Sequence, residues 1–135
     1  MTTWLLKTEP DSYSYADLER DGSTVWDGVT NNAALANIRR VRSGDSVLLY
    51  HTGKEKAVVG LARVTSDPYP DPKAESEKIV VFDLAPERPL ARPVTLAEIK
   101  ADETFAEWQL VRVPRLSVME VPKALERRLL ALAKR

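Results

Sequence analysis

Several short segments of this chain carry side chains able to bind or transform a ligand. Lys7, Thr8 and Glu9 put a cation, a hydroxyl and a carboxylate next to one another. Glu9 could accept a hydrogen bond from an exocyclic amine, or pair with Lys7 or Arg115 in a structural bridge. Trp26 precedes Asp27-Gly28, a turn signal that directs an aromatic side chain to a fixed place. Asn31 offers a donor and an acceptor from one amide, or it caps the helix that follows. Tyr50 and His51 end an apolar run, where strand alternation sends them to opposite faces unless the strand bends. Arg115 and Ser117 alternate onto one face of a late strand, which suits a phosphate contact. Glu9, Asp27, His51 and Lys7 could also be composed into an acid–base set for a hydrolase acting on a nucleotide or glycosidic bond.

What is missing narrows these options. There is no cysteine, so thiolate nucleophiles, disulfides and Cys-based zinc sites are excluded. One histidine cannot build a multi-histidine metal site, and no metal or other cofactor is expected. No nucleophile elbow or phosphate-binding glycine loop is present. With 20 basic and 20 acidic residues the overall field does not draw the chain to a phosphate backbone. The basic excess is local, in residues 38–64 and 110–135, and would form a modest patch if those segments were neighbours. Arg127 and Arg128 also read as a solvated helix face, and Lys134 and Arg135 as a frayed tail.

The elements that must hold these groups follow from pattern and punctuation. The 135 residues, 44% of them hydrophobic, suffice for one domain over 1–135 with its own core. No membrane span or leader-like run appears, and a soluble cytoplasmic monomer is expected. Strands are predicted at 3–7, 46–51, 57–65, 78–84, 109–112 and 115–121. Ser14 and Thr95 open capping boxes for two short helices; a third runs from Asn32 toward Val41, and a last one follows Pro122. The alternating prolines of 66–72 predict a rigid loop outside regular structure, which could also serve a protein-interaction module. Trp4 is assigned to the core and Trp108 to surface packing; Arg39 and Arg112 read as solvated. About five or six strands with inserted helices and no βαβ alternation indicate an α+β mixed barrel rather than a doubly wound sheet.

Three blocks resemble the EVE family: Trp4-Leu-Leu-Lys-Thr-Glu-Pro10, Val25-Trp-Asp-Gly-Val29 with Asn31, and Tyr50-His-Thr52 followed by Ala57-Val-Val-Gly60. Tyr69-Pro-Asp-Pro72 and Arg115-Leu-Ser-Val-Met119 extend the likeness over nearly the whole chain. The resemblance implies a barrel similar to PUA, YTH and ASCH domains, with a concave pocket that recognises a modified base, notably methylated or hydroxymethylated cytosine in DNA or a modified RNA base, without transforming it. The partner it implies is nucleic acid or a free modified nucleoside. The chain departs from the family's frequent Arg-Asn-Tyr-Gln-Ala-Arg after Trp-Asp-Gly-Val, reading Thr30, Asn31, Asn32, Ala33, Ala34 and Leu35, which leaves ligand identity open.

On that resemblance Trp26 becomes the candidate stacking platform, against the plainer reading of a core tryptophan. Asn31 is the candidate edge reader, Tyr50 a wall and His51 a hydrogen-bonding rim group or a satisfied structural imidazole. Lys7, Thr8 and Glu9 lie at the pocket mouth, with Arg115 and Ser117 beside it.

Overall fold

A computed structural model describes residues 1–134. The chain runs β1 (Thr3–Thr8), α1 (Tyr15–Asp21), β2 (Thr24–Trp26), α2 (Asn32–Ile38), β3 (Ser46–His51), β4 (Ala57–Val64), β5 (Tyr69–Pro70) and β6 (Val80–Thr95). It continues with α3 (Leu96–Ala101), a 3-10 turn (Glu103–Phe105), α4 (Gln109–Arg112), β7 (Val118–Glu120) and α5 (Lys123–Ala133). The sheet has the order β2-β6-β4-β3-β1-β7, with β5 paired to β6, and it curls into a half-barrel. A mixed α+β half-barrel is the expected fold class.

Thr3 to Leu6 are buried one after another rather than alternately, as befits a strand covered on both faces. β1 pairs in parallel with β3, from Thr3 opposite Ser46 to Thr8 opposite His51, and antiparallel with β7. The start of this parallel pair is fixed by the buried Asp45 carboxylate. Its oxygens accept from the Thr2 N–H (3.1 Å), the Trp4 indole N–H (2.9 Å) and the Arg42 N–H (2.9 Å). Trp4 is core, as its sequence context indicates. α2 buries Ala34, Leu35 and Ile38 and packs on both β6 and β7; the Asn37 amide donates to the Val118 carbonyl at 2.7 Å. The helix thus lies across the opening between the sheet's two flanks.

Several expectations are corrected. Residues 109–112 form a helix instead of a strand: Arg112 N–H and Val113 N–H donate back to the Trp108 and Gln109 carbonyls, so the backbone is satisfied locally. The late strand shrinks from 115–121 to β7, because 113–117 is a turn closed by Leu116 N–H to Val113 O (3.1 Å). The 66–72 loop contains β5, since prolines at alternate positions leave the intervening N–H groups on one side, and Asp71 N–H reaches the Ile79 carbonyl. The strand expected at 78–84 extends to Thr95; its prolines fall near register shifts against β4, where ladder donors are dispensable. The helix from Asn32 ends at Ile38, short of Val41. Trp108 is only 4% exposed, packs on Phe105 and donates its indole N–H to the Glu120 carbonyl, so it is core rather than surface. Arg39, Arg112 and Arg127 are exposed, as expected, but several arginines of the basic segments are also paired. Arg40 pairs with Glu120, Arg112 with Glu107 and Arg128 with Asp102, while Arg39 donates to the Lys78 carbonyl. Arg135 of the expected tail lies outside the described residues.

α1 docks through Tyr15, whose ring lies on Gly60 and whose hydroxyl donates to the Leu61 carbonyl at 2.6 Å. A Cβ on Gly60 would sit 2.5 Å from the Tyr15 ring. Gly60→Ala is therefore expected to cost about 1–3 kcal/mol through overpacking, read as a lower denaturation midpoint; an unchanged midpoint would mean that Tyr15 has room to move. At the opposite end, Arg92 donates to both Glu98 oxygens and to the Leu132 carbonyl, joining β6, α3 and α5. The Arg92 guanidinium, first, and the Thr95 cap hold the Glu98 carboxyl down at about 2. A depressed carboxylate stabilises above its unfolded value, so this contribution is expected to fade as pH falls from about 4.5 toward 2. Thermal melts of Glu98→Gln across that range should be flatter than those of the unsubstituted protein.

Candidate nucleic-acid interface

A concavity of about 690 Å3 lies where the end of β1 faces the loop after β2. Lys7, Thr8 and Glu9 enter from β1, Trp26 and Asn31 from β2 and the loop beyond it, and Ser117 from the turn before β7. The volume falls within the range of about 300–1,000 Å3 usual for small-molecule sites.

Trp26 satisfies both readings offered by the sequence. It is 8% exposed and part of the hydrophobic core, yet it also lines the cavity. The indole N–H groups of Trp4 and Trp108 have protein acceptors. That of Trp26 has none and is not a sealed orphan, so it remains available as a donor at the cavity wall. Tyr13 meets Trp26 edge-on, with centroids 6.5 Å apart and planes at 76°. This second aromatic was not anticipated, although it stands in the turn immediately before the Ser14 capping box, where an aromatic in a polar segment is a signal worth following. Its backbone accepts from the Thr8 hydroxyl (2.6 Å), and its own hydroxyl donates to Asp21 (2.9 Å). Burial, foremost, pushes the Tyr13 hydroxyl above its ordinary range.

Asn31 resolves into two half-roles. Its Oδ1 accepts from the Ala34 N–H at 3.1 Å and caps α2, while its side-chain NH2 has no protein partner and stays at the cavity. Glu9 makes neither of the ion pairs considered for it. Its carboxylate accepts from the Thr52 hydroxyl (3.2 Å) and the Asp11 N–H (3.3 Å). It lies so close to Gly53, at φ 76°, that a Cβ there would meet its Oε2 at 3.1 Å. The Lys7 ammonium instead donates to the Pro114 carbonyl at 2.7 Å and stands 5.7 Å from the Tyr50 ring centre. Desolvation lowers its pKa from the usual lysine value.

Three expected site residues lie outside this cavity. His51 is 8% exposed and structural: its Nε2 accepts from the Tyr15 backbone N–H at 3.0 Å. A backbone N–H can only donate, so the neutral ring carries its proton on Nδ1, which donates to Glu55 at 2.7 Å. The acid–base set that would need His51 beside Glu9 and Asp27 is therefore not assembled. Tyr50, opposite Lys7 in the register of β1 with β3, walls a second, smaller cavity. Arg115 is exposed in the turn before β7 and does not line the main cavity; because 115–117 is not strand, the alternation that paired it with Ser117 does not apply. Among the described residues no group of three or more His, Cys, Asp or Glu could hold a metal ion, and no helix is long and apolar enough to cross a membrane.

Comparison with known proteins gives consistent matches. Residues 2–132 match the sequence profile described as the EVE domain. Human thymocyte nuclear protein 1 is 29% identical over an alignment covering 73% of this chain and 55% of that protein; the chain spans about half the length of the curated relatives it matches. An NMR structure of a Rhodopseudomonas palustris protein superposes with a TM-score of 0.94 at 33% identity, covering 99% of this chain and 94% of that one. A crystal structure of human THYN1 protein in complex with 5-methylcytosine-containing DNA superposes at 0.91, with 25% identity and coverage of 100% and 99%.

The burial of His51 makes its role measurable. His51→Ala leaves the Tyr15 N–H without its acceptor and is expected to cost about 1–3 kcal/mol of stability, with ligand affinity kept within about twofold. Loss of affinity at unchanged stability would assign His51 to binding instead.

Proposed function

Since the chain belongs to the EVE domain family, we propose that its main cavity binds a modified nucleobase, in the first instance a methylated or hydroxymethylated cytosine in DNA, and leaves it chemically unchanged. One observation carries this reading: an aromatic wall, an acceptor and a free amide donor converge on one concavity, supplied by Trp26 with Tyr13, by Glu9 and by Asn31. A planar base needs a flat face to stack on, worth about 1–3 kcal/mol per base. The exocyclic amine of cytosine is a donor, which suits the Glu9 carboxylate. Its ring acceptors suit the Asn31 NH2 and the Trp26 N–H, and Val29 offers apolar surface for a methyl group. The human relative crystallised with 5-methylcytosine DNA supports the same ligand class.

A base inside a duplex must be flipped out to enter such a cavity, at a cost of about a few kcal/mol. The balanced net charge supplies little general affinity for DNA to offset that cost, so the free energy of binding rests mainly on the base itself. Readout by a pocket rather than by a groove-inserted element follows from this balance.

The direct test is titration with cytosine, 5-methylcytosine, 5-hydroxymethylcytosine and N6-methyladenine, as nucleosides and within short DNA and RNA strands. Tryptophan fluorescence reports binding and chromatography checks that the ligand is recovered intact. Selective quenching by a modified cytosine is expected; equal responses to all members, or consumption of one, would overturn the reading. Asn31→Asp separates the two roles of that residue, because aspartate caps a helix as well as asparagine does but lacks the NH2 donor. It should retain the melting temperature and weaken base binding by about tenfold, the loss expected for one hydrogen bond to a polar group.

A further inference from the structure

The smaller cavity, about 290 Å3, shares Lys7 with the main one and adds Lys56, Lys100 and Tyr50 to its lining; no acidic residue lines it. Its three ammonium groups come from β1, from the turn before β4 and from α3, segments far apart in sequence. Among the described residues every ion pair is made by an arginine or by His51, and none by a lysine. Those pairs take up Arg20, Arg40, Arg63, Arg92, Arg112 and Arg128, and no ion pair reaches the three lysines of this lining. Like charges gathered without a counter-charge disfavour the folded state, and an anion would relieve that repulsion.

The surroundings favour a fixed site over a chance gathering of surface lysines. Lys7 is half-buried and held by the Pro114 carbonyl. Lys56 has φ 45°, the only positive φ of a non-glycine among the described residues, a conformation uncommon for a side-chain-bearing residue. Its carbonyl accepts from the Leu96 N–H at 2.7 Å, which ties Lys56 to the start of the helix that carries Lys100. Among the described residues the Tyr50 hydroxyl has no protein partner and is not sealed from solvent, which leaves a neutral donor among the cations. Glu9 and Asp27 line the main cavity and not this one, although the Glu9 carboxylate, bonded to the Thr52 hydroxyl and set against Gly53, borders it. One concavity therefore carries acceptors as well as donors, as a base edge requires. The other gathers three lysines with the Tyr50 and Thr52 hydroxyls beside apolar Leu96, Leu110 and Val111, a donor-rich lining that suits a phosphate.

We propose that the cavity lined by Lys7, Lys56, Lys100 and Tyr50 is a phosphate subsite that holds a backbone phosphate of the strand whose base occupies the main cavity. The assignment of the phosphate to a nucleic-acid strand rests on the base-binding reading above; the affinity for a phosphate group does not. Lys7, on the shared wall, would contact both parts of the ligand.

The test uses the full chain and a double variant, Lys56→Asn with Lys100→Gln, which spares Lys7 and gives position 56 a residue tolerant of positive φ. Inorganic phosphate is titrated first, followed by amide NMR. Shifts are expected at residues 52–56, 100 and 110–111 in the unsubstituted protein and not in the variant; their absence from the unsubstituted protein overturns the subsite. Affinities are then compared for 5-methyldeoxycytidine, its 5′-monophosphate and a short single strand containing it. The variant should bind the strand about tenfold more weakly, with a salt dependence shallower by about one to two phosphate contacts, and bind the nucleoside unchanged. An equal loss for the monophosphate would make a mononucleotide the source of the phosphate. Identical strand binding by both proteins, or equal loss of nucleoside and strand, would overturn the proposal. A phosphate response without binding of any base would instead overturn the base-binding reading and leave the subsite standing.

Discussion

Parallel strands cannot be joined by a tight turn, and that constraint shapes the whole candidate site. β1 and β3 are parallel neighbours in the middle of the sheet, so residues 9–45 must leave one end of the sheet and return at the other. On the way they form α1, add β2 to the far edge of the sheet and lay α2 across the opening. The crossover thereby brings the Trp26–Asn31 loop from the edge strand to the end of the central strand, where Lys7, Thr8 and Glu9 emerge. Were β1 and β3 antiparallel, a short hairpin would suffice and the cavity would lose one wall.

Polar anchors set the geometry of that crossover. Asp45 collects three N–H donors at its return, and His51 takes the Tyr15 N–H near its departure. In both cases a buried polar side chain finds partners in backbone N–H groups and in one further side chain, Trp4 for Asp45 and Glu55 for His51, the arrangement that makes burial of such groups tolerable. The Thr8 hydroxyl bonded to the Tyr13 carbonyl adds a third tie. The Tyr13 ring is thus held beside Trp26, while among the described residues the Trp26 N–H and the Asn31 NH2 remain without a partner.

Charge is distributed with similar economy. Arginines make most of the ion pairs, as the fork of a guanidinium favours, and they join elements: Arg92 with Glu98, Arg128 with Asp102, Arg40 with Glu120. The lysines remain as point charges. A chain with no net charge can therefore still present a local cationic surface, which a count of residues over the whole sequence conceals.

Much of the framework was legible without coordinates. The apolar runs at 3–7, 46–51 and 57–65, the capping boxes at Ser14 and Thr95 and the amphipathic end after Pro122 depend on neighbours within a few residues, and local pattern specifies such elements. The segments that signalled a site, from Lys7 to Glu9, around Trp26 and Asn31, and at Ser117, likewise stood out by residue type and spacing, and the fold draws them together. Residues 109–112 and 85–95 were misread because four apolar and polar residues fit a helical turn as well as a strand, and because prolines in a strand are tolerated only where the partner's register shifts, which sequence does not display. Tyr50 and His51 went elsewhere although β3 keeps unbroken register with β1: Tyr50 stands opposite Lys7 at the second cavity, and His51 is taken up by the Tyr15 N–H and Glu55. Tyr13 joined the site through its tie to Thr8 and its contact with Trp26, and Arg115 left it because 113–117 is a turn and not a strand. The sequence alone settled which stretches form most of the strands and helices and which residue types are available for chemistry. Only the tertiary structure decided which of those residues share a cavity, because that depends on strand order, register and the path of a crossover linking positions about forty residues apart.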